Sequence, residues 1–460
     1  MAAINDAATG RRPSVGVIGS GVSGLTAAYL LHDTHAVTVY EADRRAGGHA
    51  HTHTVDDGDR RLSIDTGFIV HNEITYPLLR KLFGRLEVAT TPTEMSMSIA
   101  DRRGRFVYAG GRGIGGVFAQ RRRVADPQFL GMLMQVKQFH RAASQFLDIG
   151  EDDDLTTFGQ FLADHRFGRY FIDRYALPLV SCVWSAGART SLDYPARYLF
   201  AFLRNHGMLT VTGSPTWHTV TGGSRQYVDR ILATLDDVRL GTAVTGVRRD
   251  RDGVEITDGD GRTQRFDRVV VATHPDQALE LLTDPTRAER AVLGAFGYTP
   301  NVALLHTDAS VMPRSHRGWA SWNYLMSEGS DPDGMRDRDG AAGDNAPPGV
   351  TYWMNRLQAL DAGRDYFVSL NAGDRVDPRS VIAEIHYSHP QYTPAAVAAQ
   401  AHLPALNTTH TAFAGAYHGW GFHEDGCRSG TLAAEHFGAG WSDGTTAASV
   451  STTTGAGGAW

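Results

Sequence analysis

The chain has 460 residues, more than one hydrophobic core normally serves, so two domains are expected. With 42% hydrophobic and 20% charged residues it reads as globular, and a formal charge of -6 excludes a general nucleic-acid surface, which needs a basic balance. The two cysteines, Cys182 and Cys427, are too far apart in sequence to suggest a disulfide framework or a thiolate zinc site, and no apolar run reaches membrane-spanning length. A cytoplasmic protein without a secretory leader is expected, with at most peripheral membrane contact.

Val15, Val17 and Ile18 predict a short apolar strand, and Gly19, Gly21 and Gly24 a G-x-G-x-x-G turn. A helix follows through Leu25 to Leu31, then a second strand through Ala36 to Tyr40, closed by Glu41. In this pattern Gly19 permits the turn, Gly21 leaves room for a pyrophosphate, and Gly24 lets the helix lie close on the sheet. The helix N-terminus, with Ser23 in its first turn, points N–H groups at the phosphates, and Glu41 is placed to accept hydrogen bonds from ribose hydroxyls.

The turn alone does not distinguish NAD from FAD. The next run, Glu41-Ala42-Asp43-Arg44-Arg45-Ala46-Gly47-Gly48, resembles the E-x-x-x-R-x-G-G extension of the flavoprotein superfamily of amine oxidases, phytoene desaturases and protoporphyrinogen oxidases. The resemblance implies FAD, with Ala42, Arg45, Gly47 and Gly48 continuing the cradle. His49, His51 and His53 would share one face if that piece is extended, a spacing compatible with a metal. No recognised metal motif completes it, and the flavoprotein resemblance instead runs His49 or Thr52 past the cofactor.

Leu62 to Val70 reads as a strand interrupted at Asp65-Thr66-Gly67, where polar residues and a glycine imply close backbone approach, making Thr66 and Gly67 cofactor candidates. With DTGFIVHNEITYPLL the chain resembles more narrowly a bacterial family of amine-oxidase-like NAD/FAD-binding proteins, from whose usual pattern His71 departs. Residues 110–123 combine glycines with Arg121, Arg122 and Arg123, and Phe129 to Ile149 has helical periodicity. The superfamily resemblance implies that this helix roofs the substrate cavity. The basic run fits either anionic headgroups, a substrate carboxylate or a solvated face. The region holding Trp184, Tyr194, Phe200 and Phe202 suits an apolar cavity and an ordinary core equally well.

Trp217 to Tyr227 marks a return to the nucleotide domain, followed by a strand through Val238 to Val247 and a run to Thr273. The resemblance places Val244 and Ala272 near the adenosine half of FAD. Trp319 to Tyr324 and Thr351 to Asn355 read as antiparallel partners, and Val381 to Tyr387 as a further strand, giving an aromatic floor that includes Trp322, Tyr324, Tyr352 and Trp353. The last diagnostic run, Ala412 to Gly430, enters glycine-rich backbone and leaves as a helix from about Asp425. The resemblance points that helix at the flavin pyrimidine ring, with contacts from Gly415, Phe422, Asp425, Gly426 and Cys427. Near the ring, His423 and Glu424, then Tyr324 and His418, are the acid–base candidates; capping of the returning helix is the other reading of the first pair.

The expected fold class is α/β: a Rossmann-like FAD-binding domain (14–75, 215–285 and 408–438) with a discontinuous α+β substrate domain of mixed sheet and helical insertion (76–214 and 286–407). Residues 327–349 are expected to form a mobile loop and 439–460 a flexible tail. The function implied by the resemblance is FAD-dependent hydride transfer on an apolar, lipid-like small molecule, in particular an unsaturated or modified fatty acyl chain. Double-bond isomerisation, amine oxidation, which lacks an evident flavin-side lysine, and non-catalytic FAD binding stand as alternatives. The oligomeric state is left open.

Overall fold

The computed structural model describes residues 11–149, 154–184, 187–210, 215–326 and 349–441. Ser14–Ile18, Val22–Leu31 and Ala36–Tyr40 form the strand–helix–strand unit, built on a five-stranded, wholly parallel sheet. Its order is Asp237–Arg239, Ala36–Tyr40, Ser14–Ile18, Arg268–Val271 and Thr411–Phe413, so distant chain segments meet at one edge. Val15, Val17, Val39, Val269 and Val270 are fully buried, as strands covered on both faces require. The stretch expected as one strand, Val238 to Val247, is two. Gly241, at φ +64°, turns the chain between Asp237–Arg239 and a separate antiparallel sheet begun by Val244–Asp250.

A seven-stranded sheet carries the second half of the molecule, in the order Val381–Gln391, Gly297–His306, Phe367–Leu370, Gly349–Trp353, Trp322–Met326, Met97–Asp101 and Val107–Gly110. Only the pairing of Trp322–Met326 with Met97–Asp101 is parallel. Trp322 lies opposite Tyr352 in register, as expected for that antiparallel pair. The edge strand runs four residues past Tyr387, through His389 and Pro390; proline is tolerated there because an edge strand has an unpaired side.

The helical insertion has its own core, centred on Phe139, which packs its ring against Phe158, Phe161, Phe171 and Phe200. The long helix Pro127–Ile149 spends its apolar side there and not on the cavity, correcting the expectation that it forms the roof. The roof comes from Leu177–Trp184 and Ala196–Asn205. The first follows a π-helical turn, Ile172–Ala176, which changes the side-chain phase before Cys182 and Trp184 reach the cavity. Tyr194 and Phe200 belong to the insertion's core, while Trp184 and Phe202 face the cavity.

Of the expected mobile loop, 327–348 lies outside the described residues, as does 442–460 of the expected tail. The first tail residues remain packed: Ala439 is buried, and Trp441 lies beneath the Lys81 ammonium at 5.1 Å.

Candidate active site

A continuous cavity of about 1040 Å³ separates the parallel sheet from the large sheet. This is the upper end of the range of roughly 300–1,000 Å³ for small-molecule sites, enough for a dinucleotide with an adjoining substrate chamber. At one end Gly19, at φ +98°, makes the tight turn after the first strand. A Cβ on Gly24 would stand 1.9 Å from the Gly19 carbonyl oxygen, so only glycine lets the helix start here. A Cβ on Gly21 would meet nothing within 4 Å, leaving open space where the first helix begins with neither a capping side chain nor an acidic residue.

The second glycine pair lies against the first. Gly47 N–H donates to the Ser20 carbonyl at 3.0 Å, and a Cβ on Gly48 would come within 3.1 Å of Gly21 Cα. Arg45 donates to the Gly48 carbonyl at 2.7 Å beside the same space. Glu41 accepts from Ser20 N–H and Asp43 N–H, each at 2.9 Å, and from the Ser20 hydroxyl, keeping part of its acceptor capacity for a ligand. Free backbone donors with a nearby guanidinium, a carboxylate at the second strand's end, and the small apolar Val244 and Ala272 fit the pyrophosphate, ribose and adenine of FAD in that order.

Most of the expected cofactor residues border the cavity: Gly19, Gly21, Ser23, Glu41, Ala42, Arg45, Gly48, His49, Thr66, Gly67, Val244, Ala272, Gly415 and Phe422. Gly24 and Gly47 lie behind the wall. The close approach expected at Gly67 is real, but its neighbour is backbone: a Cβ there would sit 2.2 Å from the His49 carbonyl. Asp425, Gly426 and Cys427 do not border the cavity. Asp425 accepts from Phe422 N–H and pairs with Arg428, Gly426 leaves room for Val22 and Ser23 of the first helix, and Cys427 is buried beneath them. The helix begins at His423, two residues earlier than expected.

The acid–base candidates separate. His423 borders the cavity, stacks on Phe68 with centroids 3.8 Å apart, and has Nε2 3.2 Å from the Tyr227 hydroxyl; burial pushes its pKa down to about 3. Glu424 turns the other way and accepts from Leu78 and Leu79 N–H at 3.0 and 2.9 Å. It therefore caps the helix Pro77–Arg85, a different helix from the one expected, and burial raises its pKa to about 7. His418 and Tyr324 also lie off the cavity wall, His418 beside Tyr417 and Tyr324 against the insertion's core. Trp353 is on the far face of its strand, bonded to Asp365.

The three imidazoles of residues 49–53 do not converge. The strand starts only at Thr52, and Thr52 turns its hydroxyl to Asp65. His51 and His53 lie tilted against each other at 4.2 Å, while His49 stacks on Tyr387 at 4.6 Å. Among the described residues no group of three or more His, Cys, Asp or Glu side chains is arranged to hold a metal.

Sequence reasoning missed much of the chamber wall: Phe68, His206, Tyr387, His389 and Trp420. The period-two pattern of the edge strand, Ile385, Tyr387, His389, was the available signal for two of them. Burial lowers His51, His206 and His389 to about 4, so these imidazoles are neutral at neutral pH.

A dinucleotide cradle opening into an aromatic chamber defines a flavoprotein oxidoreductase. The model of the flavin-containing amine oxidoreductase family matches residues 22–355, and the chain belongs to that family. The cradle residues described above fit the flavin cofactor of that family. An L-amino-acid oxidase from Siganus canaliculatus is 24% identical over 311 residues, spanning 64% of this chain and 56% of that protein, little more than half its length. Among solved structures, cyclohexylamine oxidase from Brevibacterium oxydans IH-35A superposes with a TM-score of 0.67 at 17% identity, covering 93% of this chain and 98% of its own. A CLA-producing fatty acid isomerase from P. acnes superposes with a TM-score of 0.61 at 17% identity, covering 92% and 99%. These likenesses are of fold.

Proposed function

We propose that the protein oxidises an uncharged, largely apolar amine. The observation that carries this reading is the chamber's charge. Among the described residues its wall offers Phe68, Trp184, Trp322, Tyr352, Tyr387 and Trp420 with neutral imidazoles between them, Arg45 is its only Lys or Arg, and its other charged residues, Glu41, Asp43, Glu280 and Glu384, are all acidic. Arg45 is committed to main-chain carbonyls at the phosphate end, so among the described residues a substrate carboxylate has no guanidinium or ammonium partner in the chamber. That sets the chain apart from what the name of its L-amino-acid oxidase relative implies. Family membership and the cyclohexylamine oxidase fold support an amine.

Bound FAD supplies a hydride acceptor at flavin N5. The aromatic wall excludes water and orients the carbon that loses hydrogen. Desolvation disfavours an ammonium in this wall, so the amine enters as the free base, its proton left to bulk water at the cavity mouth. His423 Nε2, held near the Tyr227 hydroxyl, acts as a neutral hydrogen-bonding group.

A second reading, oxidation or double-bond isomerisation of an unsaturated or modified fatty acyl chain, draws on the same aromatic wall. One observation favours it: the chain's two lysines, Lys81 and Lys137, both lie off the cavity. Anaerobic mixing of the holoprotein with cyclohexylamine-type amines, L-amino acids and fatty acyl esters, followed by flavin absorbance and product analysis, tests both. Rapid bleaching by apolar amines, with the carbonyl product after hydrolysis, is expected. Bleaching or isomerised product with acyl esters alone overturns the amine reading.

A further inference from the structure

We propose that the protein docks on an anionic lipid surface through the face built from the 102–105 turn, residues 112–126 and the helix Pro127–Ile149. Residues 102–147 contain nine Lys and Arg against one acid, Asp126, a formal +8 in a chain of -6, which leaves -14 on the remainder. Asp126 pairs with Arg123, Asp101 with Arg105 and Glu94 with Arg112, so these acids cancel part of the charge and the face stays net basic. The pieces form one face. Arg123 donates to the Arg105 carbonyl at 2.7 Å, Gln120 to the Gly104 carbonyl at 2.9 Å, and Phe118 packs on Phe129 at 5.9 Å.

Large apolar side chains stand out of this basic face. Ile114 is 80% exposed between two glycines, Met134 69%, Val124 57% and Leu130 40%. Along the long helix, Leu130, Met134, Lys137 and Arg141 follow at spacings of four, three and four, one exposed stripe opposite the side packed into the insertion's core. A merely solvated basic face would not expose four such side chains together, and a nucleic acid or acidic protein would leave them in water. An anionic membrane satisfies both sets, with headgroups meeting the cations and the apolar tips entering the acyl boundary. Among the described residues no helix is long and apolar enough to cross a bilayer, so the contact is peripheral. The inference does not depend on which substrate is oxidised.

Flotation of the holoprotein with phosphatidylcholine vesicles, with and without phosphatidylserine and at low and high salt, tests it. Binding is expected only with phosphatidylserine and is lost at high salt. The variant Arg121→Gln/Lys137→Gln/Arg141→Gln should bind about 100-fold more weakly, roughly fivefold per charge. Ile114→Ser/Met134→Ser should lose about tenfold or more with its charge unchanged. Flavin absorbance checks folding of each, and the apolar pair carries the test if the triple variant loses its flavin. No binding to phosphatidylserine vesicles, equal binding to neutral ones, or full binding by the apolar variant overturns the proposal; the last result would indicate a simple polyanion site.

Discussion

Glu41 is held by hydrogen bonds and His423 by stacking, and the difference sets what each can do. Glu41 meets the cradle as a half-exposed carboxylate with acceptor capacity left over. A hydrogen bond to a charged group is worth about 1.5–3 kcal/mol, so Glu41→Ala should weaken FAD binding by roughly 10- to 100-fold. Flavin fluorescence titration of the apoprotein measures this, and an unchanged Kd would remove Glu41 from the cofactor's contacts. Burial pushes His423 down to about 3, which makes it a weak base at neutral pH, though it borders the chamber. At this scale the glycines were legible because their demand is steric and local. The roles of His423 and Glu424 were not, because adjacent residues on a helix point about 100° apart and sequence does not say which one meets the cavity.

The returning helix His423–His436 joins two elements. Gly426 and Gly430 let it cross the first helix closely: a Cβ on Gly430 would fall 2.2 Å from the Ser23 carbonyl. Glu424, from the same turn as Gly426, closes the N-terminus of Pro77–Arg85, whose first residue is proline and whose next two N–H groups need an acceptor. Glu424→Ala should therefore cost about 1–3 kcal/mol of stability and lower Tm by several degrees, with single-turnover flavin reduction little changed. Thermal melts and stopped-flow reduction separate the outcomes; a normal Tm with slowed reduction would reverse this assignment. Most strands were legible from apolar alternation and the glycine turn. The edge strand's last residues were not, because Pro390 argues against a strand until its edge position is known. The cap's partition was hidden for another reason: Phe200 and Phe202 have the same chemistry, and only packing sends one inward and the other to the cavity.

For the whole molecule, acid sensitivity follows from its neutral histidines. Burial holds His71, His206 and His389 at about 4 and His418 and His423 at about 3, against 6.5 unfolded. Groups lowered in this way stabilise the fold fully above pH 6.5, and that stability is lost as pH falls toward the folded values. Asp65, raised to about 6, Glu424, raised to about 7, and Asp425, also raised, act in the opposite sense, losing their contribution as pH rises. With His35, His51, His140 and His306, also lowered to about 4, these imidazoles outnumber the raised carboxyls, Glu435 included. Stability should thus drop as pH falls from about 6 to 5, by about 1.4 kcal/mol per pH unit for each net proton taken up on unfolding. Tm measured across that range should fall steeply, and a flat profile would mean that these histidines are charged in the fold.

The flavin cradle also sets a condition on synthesis. Its walls combine Gly19 to Ser23 with Gly415 to His423, and the strand Thr411–Phe413 completes the sheet on which Ser14–Ile18 was the first to be made. The ribosome must release the chain through His423 before these segments can close on one another, a long-range closure that delays folding. Yellow colour in a preparation therefore certifies translation past these last segments, and a chain broken off before residue 411 would stay colourless however well its first strand, turn and helix had formed.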